Sequence, residues 1–333
     1  MTHSARLIAL IWAVGLAGCS PSTTTSEASY AVFGTTVSVT VRHAQDSEPS
    51  AALAELDYLF QRLHRDWHPW EPGALTRLND GLSSGEWVEI PADIEALLAR
   101  SQRLETASGG RFNAAIGRLV ALWGFHTSNY PITTPPPPDP AIDALLAQQP
   151  SSLDIEWSEQ RDVTRVRTDN ASVGLDFSGV AKGAAAELAC ALLAEAGFVD
   201  ALVNLGGDVM VCGPAVVPWR VAINHPQSGV LEVLAVDQRL AVFTSGQYHR
   251  YGIWDGERYA HVLDPATGRP VKHLVQATAI DPDPVLADAA ATALVVAGLD
   301  SADRLGEQLG LARWRVVDAT PKRQSEASHD AGN

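Results

Sequence analysis

The spacing of apolar positions changes several times along the chain, and each change marks an element. From Val32 to Val41, VFGTTVSVTV alternates apolar with polar and is rich in β-branched residues, which predicts a strand. The next stretch, AALAELDYLFQRLHRDW, places Leu53, Leu56, Phe60, Leu63 and Trp67 at helical spacing. A second helix is predicted over 92–107, with Gly109 and Gly110 as its stop. PITTPPPPDP (131–140) reads as an exposed loop with polyproline II character. Beyond it, strands are predicted near 163–168, 173–177, 199–205 and 219–224, and helices near 182–196 and 286–298. Several strands in succession between 219 and 263 argue against a doubly wound parallel sheet and for an α+β fold with a largely antiparallel sheet. Both sides of the Pro-rich loop contribute to the candidate chemistry below. Residues 30–320 are therefore expected to form one domain, with a disordered tail over 321–333.

Composition agrees with a folded body: 46% of the 333 residues are hydrophobic and 19% charged. The net charge of −15 argues against nucleic acid as a partner, because phosphate backbones need a basic face. The first residues, MTHSARLIALIWAVGLAGCS, carry Arg6, an apolar run from Leu7 to Leu16, and Leu16-Ala17-Gly18-Cys19. That run is too short for a permanent transmembrane helix and reads as an export signal over 1–18. Small residues before Cys19 resemble the lipobox of bacterial lipoproteins, which implies lipidation at Cys19. Ser20 after it suggests the outer membrane, and 19–29 is expected to be a polar tether. Cys190 and Cys212 are expected to pack as small apolar residues rather than pair.

Three stretches carry candidate chemistry. In LDFSGVAKGAAAE (Leu175 to Glu187) the chain passes through Ser178-Gly179 into a helix near Lys182. Free N–H groups at a helix start beside a lysine suit an anion. VNLGGDVMVCG places Asn204 and Asp208 around a Gly206-Gly207 turn. LADAAATALVVAG sets Asp288 and Thr292 four apart on one face of an apolar helix. An isolated buried carboxylate is expensive, so Asp288 either shares a Mg²⁺ ion with Thr292 or is satisfied by backbone N–H groups. His64 and His68 read as partly exposed helix residues, and His126 as a loop residue with no partner spacing. YAHVLDPATGRP predicts an Asx-type turn at Asp264, with His261 just before it.

Taken in order, FGTTVSVTV, GALTRLN, GGRFNAAIGRLVALWGF, LDFSGVAKG, VNLGGDV, FTSGQYHRY, HVLDPATGRPV and ADAAATAL resemble the FAD:protein FMN transferase (ApbE) family. The resemblance implies a T-fold-like α+β body and a Mg²⁺-dependent reaction. In it FAD is cleaved at the diphosphate, AMP leaves, and FMN is esterified to a Thr or Ser of an acceptor protein. It implies metal ligands at Asp288, Thr292 and the Gly179 carbonyl, and flavin contacts at Phe33, Ala74, Leu75, Thr76, Asn113, Lys182 and His261. Lys182 and His261 are the catalytic candidates, His261 as the base for the acceptor hydroxyl. The chain departs from the family pattern at Asn113, usually Asp, and at Ala184 and Glu187, usually Tyr and Asp.

The implied partner is a flavin-bearing subunit of an exported or membrane redox complex. The implied location is the periplasmic side of the envelope, lipid-anchored. One rival uses the same site, a Mg²⁺-dependent FAD diphosphatase in which water replaces the acceptor; another is a non-catalytic flavin-binding lipoprotein that stores or delivers cofactor.

Overall fold

The first alternating run folds as part of a hairpin rather than as one strand. In the computed structural model, which describes residues 23–247, 250–273 and 275–319, β1 (Thr23–Val32) pairs antiparallel with β2 (Thr35–Ala44). Phe33 (φ 55°) and Gly34 (φ 67°) make the two-residue connection, both in the left-handed region that such a hairpin turn needs. The expected tether over 19–29 is corrected: residues 23–29 are strand. β1 buries only Tyr30 and Val32, so Thr and Ser fill its exposed positions and its composition imitates a linker. Cys19, the export signal and the tail over 321–333 lie outside the described residues.

Five further strands complete the main sheet: β3 (Ala201–Leu205), β4 (Asp208–Val211), β5 (Leu240–Gly246), β6 (Val275–Asp281) and β7 (Arg313–Asp318). The seven lie side by side in chain order and every neighbouring pair is antiparallel. The helices occupy two of the connections. Between β2 and β3 run α1 (Ser50–Asp66), α2 (Ala74–Ser83), α3 (Ala92–Ala107), α4 (Gly117–Leu122), α5 (Asp139–Leu146) and α6 (Ala181–Glu195). Between β6 and β7 run α7 (Pro284–Ala297) and α8 (Leu299–Leu309).

α7 packs on β5 and β6 and is covered in turn by α6 and α3, which is why it is apolar nearly all round. The opposite face of the sheet is closed by a hairpin, Trp219–His225 with Gly229–Val236, through Trp219, Val221, Ile223, Val236, Val242 and Ile280. A smaller core of Ile116, Leu119, Trp123, Phe125, Ile142 and Leu263 sits beneath the Pro-rich loop, whose last residues already belong to α5. This core pins the 264–269 turn. Trp123 Nε1 donates to Gly268 O at 2.7 Å, and Asp264 Oδ1 accepts the Ala266 N–H at 2.9 Å, the expected Asx geometry.

Two further expectations need correction. Residues 173–177 run extended but join no sheet, apart from one parallel bridge between Gly174 and Ile116. Their main chain is held instead by the Asn79 amide, which donates to Leu175 O at 2.9 Å and accepts the Leu175 N–H at 2.7 Å. Asp176 N–H donates to Ala114 O at 2.8 Å. Cys190 and Cys212 do pair, with Cα atoms 5.1 Å apart, tying α6 to the end of β4. Neither residue's local pattern reveals this, because only the packing of helix on sheet brings the two together.

The bridge closes a loop of 22 residues, for which chain entropy predicts about 3 kcal/mol of stabilisation. Replacing both cysteines by alanine is expected to lower the urea midpoint accordingly. Reductant should lower the unaltered protein's midpoint by a similar amount and leave the double variant's unchanged.

Candidate active site

The first turns of α6 and α7 meet, and Gly183 is what lets them. A Cβ there would lie 2.3 Å from the Pro284 carbonyl oxygen. At this contact Asp288, 3% exposed, accepts the Gly183 N–H on Oδ2 at 2.9 Å, while its Oδ1 lies 3.8 Å from Lys182 Nζ. Both readings of this carboxylate therefore begin from the same fact: backbone N–H groups do satisfy it, but those of a neighbouring helix rather than of its own first turn. One turn along α7, Thr292 Oγ1 is 3.1 Å from Ser245 Oγ and faces Gly179, where a Cβ would come within 3.7 Å of that hydroxyl. Gly179, Lys182, Asp288 and Thr292 thus converge as the sequence predicts.

Asp208 joins them, a residue that the sequence reading assigned only to a turn. Its Oδ2 is in direct ion-pair contact with Lys182, and its Oδ1 accepts the Thr244 N–H at 2.7 Å. Burial alone would lower the Lys182 ammonium's pKa, but Asp208 and then Asp288 outweigh it and raise it. Burial pushes the Asp288 carboxyl up to about 6; Lys182 opposes this and Asp208 adds to it. Two carboxylates therefore share one ammonium, and the cluster is short of one positive charge. The disulfide secures the same pair of elements. Cys190 is eight residues along from Lys182, ~12 Å of helix, and Cys212 four along from Asp208, ~13 Å of strand. A single register of α6 on β4 satisfies both ties.

A row of rings leads away from the junction. Phe33 stands edge-on to His64 at 5.8 Å, His64 to His68 at 5.4 Å, and His68 to Trp70 at 4.3 Å. Trp70 stacks on His126 at 5.1 Å with 22° between planes, and His126 Nε2 is 3.2 Å from Asp176 Oδ2. Burial works to raise the Asp176 carboxyl, but His126 and the Ser178 N–H outweigh it and hold it below the usual range. His64 is a partly exposed residue of α1, as expected, whereas His68 is buried just beyond the end of that helix. His64 Nδ1 accepts the Phe33 N–H at 3.3 Å, and His68 Nδ1 accepts the Glu71 N–H at 3.0 Å. Burial lowers the pKa of His68. His126 has a partner after all, 50 residues away in sequence and so invisible to spacing.

The other expected flavin contacts are dispersed. Leu75 is fully buried, and Thr76 Oγ1 is engaged locally, accepting the Gly73 N–H at 2.9 Å, so α2 offers its opening main chain rather than these side chains. Asn113 uses both ends of its amide: Nδ2 donates to Pro150 O at 2.8 Å and Oδ1 accepts the Ala115 N–H at 2.8 Å. Glu187, the other polar departure, pairs with Arg100 at 2.6 Å, and Ala184 is buried. His261 Nδ1 lies 2.9 Å from the Arg250 carbonyl oxygen, with its ring edge-on to Phe125 at 6.3 Å. A carbonyl only accepts, so Nδ1 carries a proton and donates to it.

Among the described residues no three His, Cys, Asp or Glu side chains converge as a metal cage. Asp288, Thr292 and the main chain at Gly179 are the groups whose oxygens could hold a hard divalent ion, which needs few protein ligands.

The chain is 38% identical over 313 residues to a Rhodobacter capsulatus protein named FAD:protein FMN transferase, covering 91% of this chain and 58% of that one. It is 30% identical over 316 residues to a Klebsiella pneumoniae protein of the same name, covering 91% and 89%. The apo structure of the Pseudomonas stutzeri flavinyl transferase ApbE superposes with a TM-score of 0.75 at 26% identity, covering 87% of this chain and 90% of that one. Residues 33–313 match the ApbE family, and the chain belongs to it.

Proposed function

We propose that the protein is a FAD:protein FMN transferase that cleaves FAD, releases AMP and attaches FMN through its phosphate to a Thr or Ser of an acceptor protein. The observation that carries this reading is the charge deficit at the α6–α7 contact. Lys182, Asp208 and Asp288 sum to one net negative charge beside a helix N-terminus, and burial, with Asp208 adding to it, raises the Asp288 carboxyl to about 6. Mg²⁺ held by Asp288, Thr292 and the Gly179 main chain would offset charge on diphosphate oxygens.

The chain's own groups account for the rest. Lys182 supplies positive charge where phosphates would lie, while the first N–H groups of α6 are taken by Asp288 and the Phe177 carbonyl. Phe33, Trp70 and His126 offer flat faces to a ring system. His261, whose Nδ1 donates to the Arg250 carbonyl, is the group we assign to take the proton of an attacking hydroxyl. Asp264 and the Trp123–Gly268 bond hold the strand end that presents it. We place the protein on the periplasmic side of the envelope, anchored through a lipidated Cys19, with a flavin-bearing redox subunit as acceptor. Among the described residues no helix is long and apolar enough to cross a membrane.

Full-length protein mixed with FAD, Mg²⁺ and an acceptor domain is expected to yield a covalently fluorescent acceptor and stoichiometric AMP. AMP with free FMN and an unlabelled acceptor would replace transfer by hydrolysis, and no turnover with any divalent ion would leave a binding protein. His261→Ala is expected to cut AMP release by ~10²–10⁴-fold while FAD affinity, read by flavin fluorescence, stays within a few-fold. Asp288→Asn keeps an oxygen for the Gly183 N–H, so its melting curve should stay close to that of the unaltered protein. Its turnover should no longer respond to Mg²⁺ titration, whereas EDTA-treated unaltered protein should recover fully on adding Mg²⁺.

A further inference from the structure

Between β4 and the 219–236 hairpin the chain makes a loop, Gly213-Pro-Ala-Val-Val-Pro-Trp219, without one charged or polar side chain before Trp219. Buried apolar loops are ordinary, but this one is on the surface: Val216 is 78% exposed and Val217 60%. Val199, itself 46% exposed, lies against the base of the loop, where a Cβ on Gly213 would be 3.5 Å from Val199 Cβ. Part of the loop's main chain is nonetheless bonded to the protein. Pro214 and Pro218 have no N–H; Ala215 N–H donates to Asp237 O at 3.0 Å and Val216 N–H to Asp200 Oδ2 at 3.1 Å. The Val217 carbonyl accepts from Arg42, whose guanidinium also lies 3.5 Å over the Trp219 ring. A tip of Val and Pro brings no polar side chain to desolvate, and three of its peptide groups are already bonded to the protein.

The position of the tip says what it meets. Arg42 sits opposite Thr25 in the β1–β2 hairpin, so the loop lies at the end of the sheet where β1 begins with Thr23. Cys19 is only four residues before Thr23, a reach of at most ~14 Å. A lipid on Cys19 therefore holds this end of the sheet at the bilayer surface.

We propose that the 213–219 loop is a membrane-contact element, with Val216 and Val217 entering the lipid interface beside the anchored N-terminus. This rests on the reading of Cys19 as lipidated. One acyl-anchored cysteine on a short strand start leaves the body free to tumble. A second apolar contact fixes its orientation. Asp208 and Lys182 lie at the other end of β4, about 17 Å from Gly213, so the candidate active site is held off the lipid, open to an acceptor above it.

The test uses the full-length, lipidated protein carrying Val217→Cys. With Cys19 lipidated and Cys190 paired to Cys212, the new thiol is the one a maleimide probe reaches. Labelled with an environment-sensitive fluorophore and mixed into phosphatidylethanolamine–phosphatidylglycerol vesicles, the protein is expected to float with the lipid. Its emission should shift to the blue and be quenched by lipids bearing a nitroxide near the headgroup, while a label at exposed Ala266→Cys stays aqueous. Flotation with an aqueous label at 217 overturns this proposal and leaves the anchor standing. So does a label that responds only when an acceptor protein is added, which would assign the loop to protein docking. Failure of the unaltered protein to float, with no difference from Cys19→Ser, overturns the lipoprotein reading and this inference with it.

Discussion

The cost of keeping one carboxylate inside an apolar helix organises the rest of the molecule. Asp288 is surrounded along α7 by Ala, Val and Leu, and a charge there is tolerable only if another element brings hydrogen bonds and a counter-charge to it. α6 brings both, through the Gly183 N–H and Lys182. It can do so only because position 183 lacks a side chain and because the chain enters α6 at a defined place. That place is set by Asn79, which grips Leu175 on both polar atoms, and by Phe177, whose carbonyl accepts the first N–H groups of the turn. Lys182 then needs its own second partner, and β4 supplies Asp208 from the sheet. Helix, helix and sheet are thus tied at one point by charge, and the groups left over face outward as candidate chemistry.

How much of this was legible depended on sequence distance. Asp288 and Thr292 share a helix face at i, i+4, and Gly179 and Lys182 flank a helix start, so four members of the cluster could be read directly. The largely antiparallel sheet, expected from the succession of strands between 219 and 263, is present. Asp208 was visible only as a turn residue, because its partner lies 26 residues earlier on another element. The stack of Trp70 on His126 and the pairing of His126 with Asp176 were hidden for the same reason. β1 was missed because it is an edge strand with few buried positions, where threonine and serine serve as well as valine. The disulfide was misjudged because both cysteines sit in surroundings that would suit an unpaired thiol.

The two ends of the main sheet differ in chemistry. At one end, β4 begins with Asp208 and meets the starts of α6 and α7, where charge and hard oxygens collect. At the other, the chain passes Cys212 and runs into a loop of valines and prolines. The disulfide and the Lys182–Asp208 pair hold α6 against this short strand at both of its ends, so the polar and apolar termini cannot drift relative to one another.

β4 is only four residues long, and it pairs with a neighbour on each side. A strand has two faces and no others, so its length is quantised in steps of two. One added residue would rotate Asp208 to the opposite side of the sheet and strip Lys182 of its partner. Two would restore the facing but raise the charged end by about 7 Å and break the match with the helix. The span from carboxylate to cysteine is therefore a number that evolution could not adjust gradually: parity forbids the odd changes, and the sulfur bridge forbids the even ones.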